Sequence, residues 1–218
     1  MKNRFDLIIF DWDGTLMDSV DWIVHCIQQA AEQYDCPVPP TQAAKDIIGL
    51  SIENAIAALF PDVDETKRQL IVKQYSRTFS SRLISRADLF PGVYEMLQQL
   101  RESGYRLAVA TGKKSTGLQQ VMQACQVSDL FCTTRSSDQT ASKPDPLMLN
   151  EIVTELGIDK QRTLMIGDSI HDLQMALNAG IAAVGVTCGA HSADILEQYQ
   201  PLFCLDYPTD LLELFNEA

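Results

Sequence analysis

Two rhythms of apolar residues run along this chain, and one gives way to the other near residue 88. "FDLIIF" (5–10) is a compact apolar run with the length of one buried strand. Residues 19–35 then bring Val20, Ile23, Val24, Ile27, Ala30 and Ala31 onto one stripe at helical spacing. The prolines of "CPVPP" (36–40) break that stripe. The pattern predicts further helices over 41–47, 51–59 and 64–84, with Thr41 capping the first and Asp62 or Asp64 the last. No strand signal occurs between about residues 17 and 88.

From "LFPGV" (89–93) onward, short apolar runs alternate with helical stretches. Strands are expected at 105–111, 163–168 and 182–186, with a weaker one at 130–134. Helices are expected at 92–103, 115–125, 145–156 and 169–179, and a last one near 207–217. Such alternation implies a parallel sheet covered on both faces, a doubly wound α/β fold. The all-helical block interrupts it after the first strand. It is either a second domain inserted into a loop or an extra helical layer on the core.

Composition narrows the class. With 46% apolar residues, 218 residues can bury a full core. A net charge of -12 disfavours nucleic acid and anionic membrane surfaces as partners. It does not disfavour a small anion, because a bound cation reverses the local field. The six cysteines show no C-x-x-C spacing, which points to reduced thiols. The N-terminal apolar core is too short for a signal peptide, and no apolar run approaches a membrane span. The expected setting is cytoplasmic, with a monomer as the default.

In an open parallel sheet, ligands gather beyond the carboxyl ends of the strands. The first strand delivers Asp11 and Asp13 there, the second Thr111 and Gly112, and "TLMIG" delivers Asp168 with Asp172 one helical turn on. Lys143 precedes Pro144 just before another helix. Several acids together are unfavourable unless a cation compensates them. Asp11, Asp13, Asp168 and Asp172 form an all-oxygen set suited to Mg²⁺, which keeps waters and accepts carboxylates plus a phosphate. Thr111, Gly112 and Lys143 suit the phosphate itself. Asp11 is the better-placed nucleophile, and Asp13 can protonate the leaving alkoxide and then activate water.

Taken in order, "DWDGTLMDS", "VATG", "SKPDP" and "IGDSIHD" resemble the four motifs of the haloacid dehalogenase superfamily. The match spans essentially the whole chain. The resemblance implies a Rossmann-like core, Mg²⁺ dependence and an aspartyl-phosphate intermediate. It also implies that the helical block is an inserted cap, residues 17–88, on a core formed by 1–16 and 89–218. That cap type occurs in phosphoglycolate phosphatase-like enzymes and in β-phosphoglucomutase. "IGLSIENAIAALFP" (48–61) resembles the cap segment that dips toward substrate, which makes Gly49, Leu50 and Ser51 candidates for substrate contact.

The expected function is therefore a Mg²⁺-dependent phosphatase acting on a small phosphate ester. A phosphomutase is the alternative within the fold, and a non-catalytic phosphate-binding regulator the alternative outside it. Asp13 argues against dehalogenation, which needs no proton for a leaving alkoxide. Asp18 and Ser19 are expected to stabilise the turn and cap the first helix. His25, His171 and His191 lack ligand spacing and are read as structural or solvated. "ATGKKSTG" fails two positions of a P-loop, so its lysines receive no role.

Overall fold

The computed structural model describes residues 4–216. Strand β1 (Leu7–Phe10) is wholly buried. Four helices make up the block that follows: α1 (Val20–Gln33), α2 (Thr41–Asp46), α3 (Ile52–Leu59) and α4 (Glu65–Phe79). Alternation then runs through α5 (Val93–Glu102), β2 (Arg106–Thr111), α6 (Ser115–Cys125), β3 (Thr133–Ser136) and α7 (Leu147–Leu156). It continues with β4 (Thr163–Gly167), α8 (Ile170–Ala179), β5 (Ala182–Val186), α9 (Ala193–Leu196), β6 (Cys204–Leu205) and α10 (Leu211–Asn216).

The described strands form one parallel sheet ordered β3-β2-β1-β4-β5-β6. The order reverses at β1, so the crevice above β1 is the switch point where such sheets hold ligands. Strand side chains alternate between faces. Ile8 and Phe10 pack on one side with α5 and α6 through Leu97, Leu100 and Leu118. Leu7 and Ile9 pack on the other with α7 and α8 through Leu149, Ile152 and Leu173. This two-sided burial explains why β1, β2 and β4 read as continuous apolar runs.

The helical block forms a hydrophobic cluster that Ala190 of the core joins. The expected α1 stripe is buried, with Cys26, and meets Ala44 of α2, Ile48 of the following loop, Ile56 of α3 and its C-cap Phe60, and Ile71 of α4. Each fully buried isoleucine such as Ile27 contributes roughly 1.5–3 kcal/mol. Two adjacent crossings tie the block to the sheet. Met17 bridges Leu89, Asp18 donates its N–H to the Asp88 carbonyl at 2.9 Å, and Phe90 donates to Leu16 at 3.0 Å.

Several boundaries differ from the sequence expectation. Pro40, not Thr41, precedes the first turn of α2. Asp64 does cap α4, accepting from the Lys67 N–H at 2.9 Å, but that helix stops at Phe79. The weak strand lies at Thr133–Ser136, after a 3-10 turn at Ser128–Leu130. The last helix begins at Leu211, and residue 217 lies outside the described residues. Helix α9 and strand β6 were not anticipated. No described helix is long and apolar enough to cross a membrane.

Candidate active site

Asp11 continues β1 by one ladder bond, its N–H donating to the Ile166 carbonyl of β4 at 2.9 Å. Beyond it the chain folds back at once. The Trp12 carbonyl accepts from the N–H groups of both Leu16 and Met17 at 3.0 Å, while the Trp12 ring packs into the core. Gly14 takes a left-handed φ of +77°, and a Cβ there would stand 2.2 Å from Asp168 Oδ2. Only glycine permits that turn this close to a carboxylate.

Three separate segments converge beneath the turn. Lys143 is fully buried, with Nζ 2.8 Å from Asp11 Oδ1 and 2.6 Å from Asp172 Oδ1. Asp172 closes a capping box on α8, its Oδ2 accepting from the Ser169 hydroxyl at 2.6 Å and N–H at 3.1 Å. Asp168 accepts from the Thr15 hydroxyl at 2.7 Å and the Ala190 N–H at 2.8 Å. Asp11, Asp168 and Asp172 each offer a ligand atom, all within 4.8 Å of one another.

This cluster is short of positive charge. Burial pushes the Asp11 carboxyl up to about 7; Lys143 opposes the rise and Asp172 adds to it. Burial and the charges of Asp172 and Asp11 lift Asp168 well above the usual carboxylate range. Burial works against the Lys143 ammonium, yet Asp11 and Asp172 outweigh it and hold its pKa above the ordinary lysine value. Three buried acids thus share one buried cation. An all-oxygen donor set with that deficit fits a hard divalent ion such as Mg²⁺.

Asp13 stands apart from the triad. Its carboxylate accepts from Lys113 Nζ at 2.7 and 2.9 Å and from the Ser19 hydroxyl at 2.7 Å. Ser19 occupies the N-cap position of α1 but makes no capping bond; it positions Asp13 instead. Lys113 also lies 4.3 Å from the Phe79 ring centroid, bridging the rim to α4. The sequence reading missed Lys113, Ser19 and Thr15 as partners of the acids. The available signal was Lys113 directly after "VATG", visible only while testing for a P-loop.

A cavity of about 260 Å³ lies between rim and helical block. Asp11, Asp13, Thr111 and Gly112 line it, as do Gly49 and Leu50. Lys143, Asp168 and Asp172 lie outside its lining, behind Asp11. Ser51 is also outside: its side chain caps α3, and its N–H donates to Ser142 Oγ at 2.9 Å. Gly112 is where the block presses hardest on the rim. A Cβ there would meet the Leu50 and Gly49 carbonyl oxygens at 2.4 and 2.5 Å. His171 Nε2 contacts the Asp46 carbonyl, and His25 stacks on Trp22. Burial lowers the pKa of both His171 and His191, which favours neutral rings.

The sequence profile described as haloacid dehalogenase-like hydrolase matches residues 8–186. The chain is 36% identical over 204 residues to a protein named "Probable phosphatase IndB" from Dickeya dadantii, covering 92% of this chain and 89% of that one. It is 28% identical to a phosphoglycolate phosphatase from Mannheimia succiniciproducens, over 98% of this chain and all of the other. A crystal structure titled as a predicted phosphoglycolate phosphatase from Haemophilus somnus superposes with a TM-score of 0.84 at 26% identity, covering 97% and 98% of the two chains.

Proposed function

This chain belongs to the haloacid dehalogenase-like hydrolases, and from that premise we propose that it is a Mg²⁺-dependent phosphatase hydrolysing a small phosphomonoester through an aspartyl-phosphate. The observation that carries the proposal is Asp11. It is buried at the end of β1, ion-paired to Lys143, and lines a cavity that Asp13 also lines. The names of the relatives support phosphatase chemistry.

Asp11, Asp168 and Asp172 are the residues that would hold the ion; the Asp13 carboxylate, expected from the sequence to join them, is taken up by Lys113 and Ser19 instead. Bound there, Mg²⁺ would neutralise charge on the phosphoryl oxygens. The Thr111 hydroxyl and the Gly112 N–H serve as donors to the phosphoryl group. A carboxylate oxygen of Asp11 attacks phosphorus, the ester P–O bond breaks, and the departing alkoxide takes a proton from Asp13. Asp13 then accepts a proton from a water molecule. That water attacks the aspartyl-phosphate, the bond to Asp11 breaks, and inorganic phosphate leaves. Lys113 and Ser19 keep the Asp13 carboxyl oriented throughout. Every group invoked comes from one chain, so a monomer suffices.

Residues 17–88 act in this proposal as a lid over a core of 1–16 and 89–218. The hydrophobic cluster built almost wholly from residues of the helical block and the paired crossings at Met17 and Leu89 support that role. Closure excludes bulk water from the aspartyl-phosphate.

The test is phosphate release from a panel of small esters, with Mg²⁺ and with a chelator, followed by borohydride trapping and peptide mapping. Release that needs Mg²⁺, with the trapped adduct on Asp11, is expected. Release indifferent to chelation, or an adduct on another residue, would overturn the proposal.

A further inference from the structure

The cavity is divided by chemistry as well as by origin. All of its charged lining comes from the rim: Asp11, Asp13, Lys113 and Lys114. Its lining between Ile23 and Ser80, contributed by the helical block, carries no charge among the described residues. That wall is mainly branched aliphatics such as Ile23, Ile27 and Ile52, with Tyr75 and Phe79 beside them. Tyr75 and Phe79 stack at 5.8 Å with 27° between ring planes, presenting a broad aromatic surface. Tyr75, Ser76 and Ser80 are its hydroxyl-bearing residues.

Both lysines that line the cavity are already engaged. Lys113 is held by Asp13 and covered by the Phe79 ring. Lys114 is half-exposed and paired with Glu53 at 2.6 Å. A carboxylate on the organic side of a substrate would face mainly aliphatic and aromatic carbon, with no unpaired cation among the described lining residues. It would lose its hydration and gain at most neutral hydroxyl or amide partners. An uncharged ring would instead exchange water for apolar contact. A dry cavity of about 150 Å³ accommodates benzene, so 260 Å³ leaves space for about one ring beside a phosphate.

Resting on the phosphatase reading of this same site, we infer that the preferred substrates are phosphomonoesters of an uncharged, predominantly apolar, ring-sized alcohol. A short carboxylate ester such as 2-phosphoglycolate is disfavoured. The chain therefore differs in substrate class from the relatives named for phosphoglycolate. The lid wall supplies the discrimination, and a cation placed on it reverses the preference.

The experiment compares kcat/KM for benzyl phosphate and 2-phosphoglycolate, both alkyl phosphates, on the full chain with Mg²⁺. Benzyl phosphate is expected to lead by at least about tenfold. Equal values, or a lead for 2-phosphoglycolate, overturn the inference while leaving the phosphatase reading intact. Turnover of neither ester, nor of 4-nitrophenyl phosphate, overturns both. Ser76→Arg, on the wall and largely solvent-exposed, adds the missing cation. In a variant whose circular dichroism matches the parent, the ratio is expected to move toward 2-phosphoglycolate by about tenfold. An unmoved ratio counts against the wall as the selecting element.

Discussion

The rim of the sheet and the wall of the helical block face each other across one cavity and follow opposite physical rules. The rim concentrates buried charge: Asp11, Lys143, Asp168 and Asp172 are all essentially without solvent access. Each is paired with a polar partner from a distant segment, so the arrangement is rigid and expensive in desolvation. The wall is carbon, ordered by helix packing and joined to the core through two crossings and a few loop contacts. A fixed polar rim can stabilise the same phosphoryl chemistry for many esters. A separate apolar wall can change which ester is admitted without disturbing that chemistry. In the proposed function, reaction and selection thus belong to different parts of the chain.

Substitutions separate the two halves in graded fashion. Asp11→Asn leaves shape and volume nearly unchanged but removes the proposed nucleophile. We predict loss of kcat by about 10³-fold or more on every ester, benzyl phosphate and 4-nitrophenyl phosphate alike. Retained turnover would mean that the rim acts by binding alone. Gly112→Ala attacks the seam. Its Cβ would meet backbone carbonyl oxygens of Gly49 and Leu50, so the loop before α3 must move. A fall in kcat/KM of about 10–100-fold is expected, with core stability nearly preserved, since displacement of about 1 Å is enough for such losses. Steady-state kinetics beside thermal melts check both parts. Asp64→Ala removes a cap remote from the cavity. It is expected to cost about 1 kcal/mol of stability, a few degrees in Tm, with kcat unchanged.

The rim was more legible in the sequence than the wall, for a physical reason. Strand ends in a parallel sheet are fixed points, so Asp11, Thr111 and Asp168 could be assigned to one edge from apolar periodicity alone. The α1 stripe was equally readable, because helical spacing decides which residues face inward. Lys113 and Ser19 were not readable as partners of Asp13. An ordinary loop lysine and an apparent helix cap acquire their roles only when the turn after β1 swings Asp13 between them. Strand β6 has two residues, too few to carry a period, and its pairing with β5 is purely tertiary. The apolar wall is assembled from α1, α3, α4 and the loop between α2 and α3, so no single segment announces it.

The central claim is that the rim is electrostatically incomplete until a divalent cation joins it. Burial pushes the Asp11 carboxyl up to about 7, far above the ordinary aspartate value of 3.8, and Asp168 shifts in the same direction. Folded protein therefore retains a proton that the unfolded chain has released. The stability from this group is fully present below about 3.8 and is lost as pH rises to about 7. Mg²⁺ competes with that proton, so its stabilising effect should grow across the same interval. The direct measurement is Tm with and without Mg²⁺ at pH 5 and at pH 8. A larger Mg²⁺-induced rise at pH 8, diminished in Asp168→Asn, is expected; no rise at either pH, or a larger rise at pH 5, would show that the rim does not need the cation.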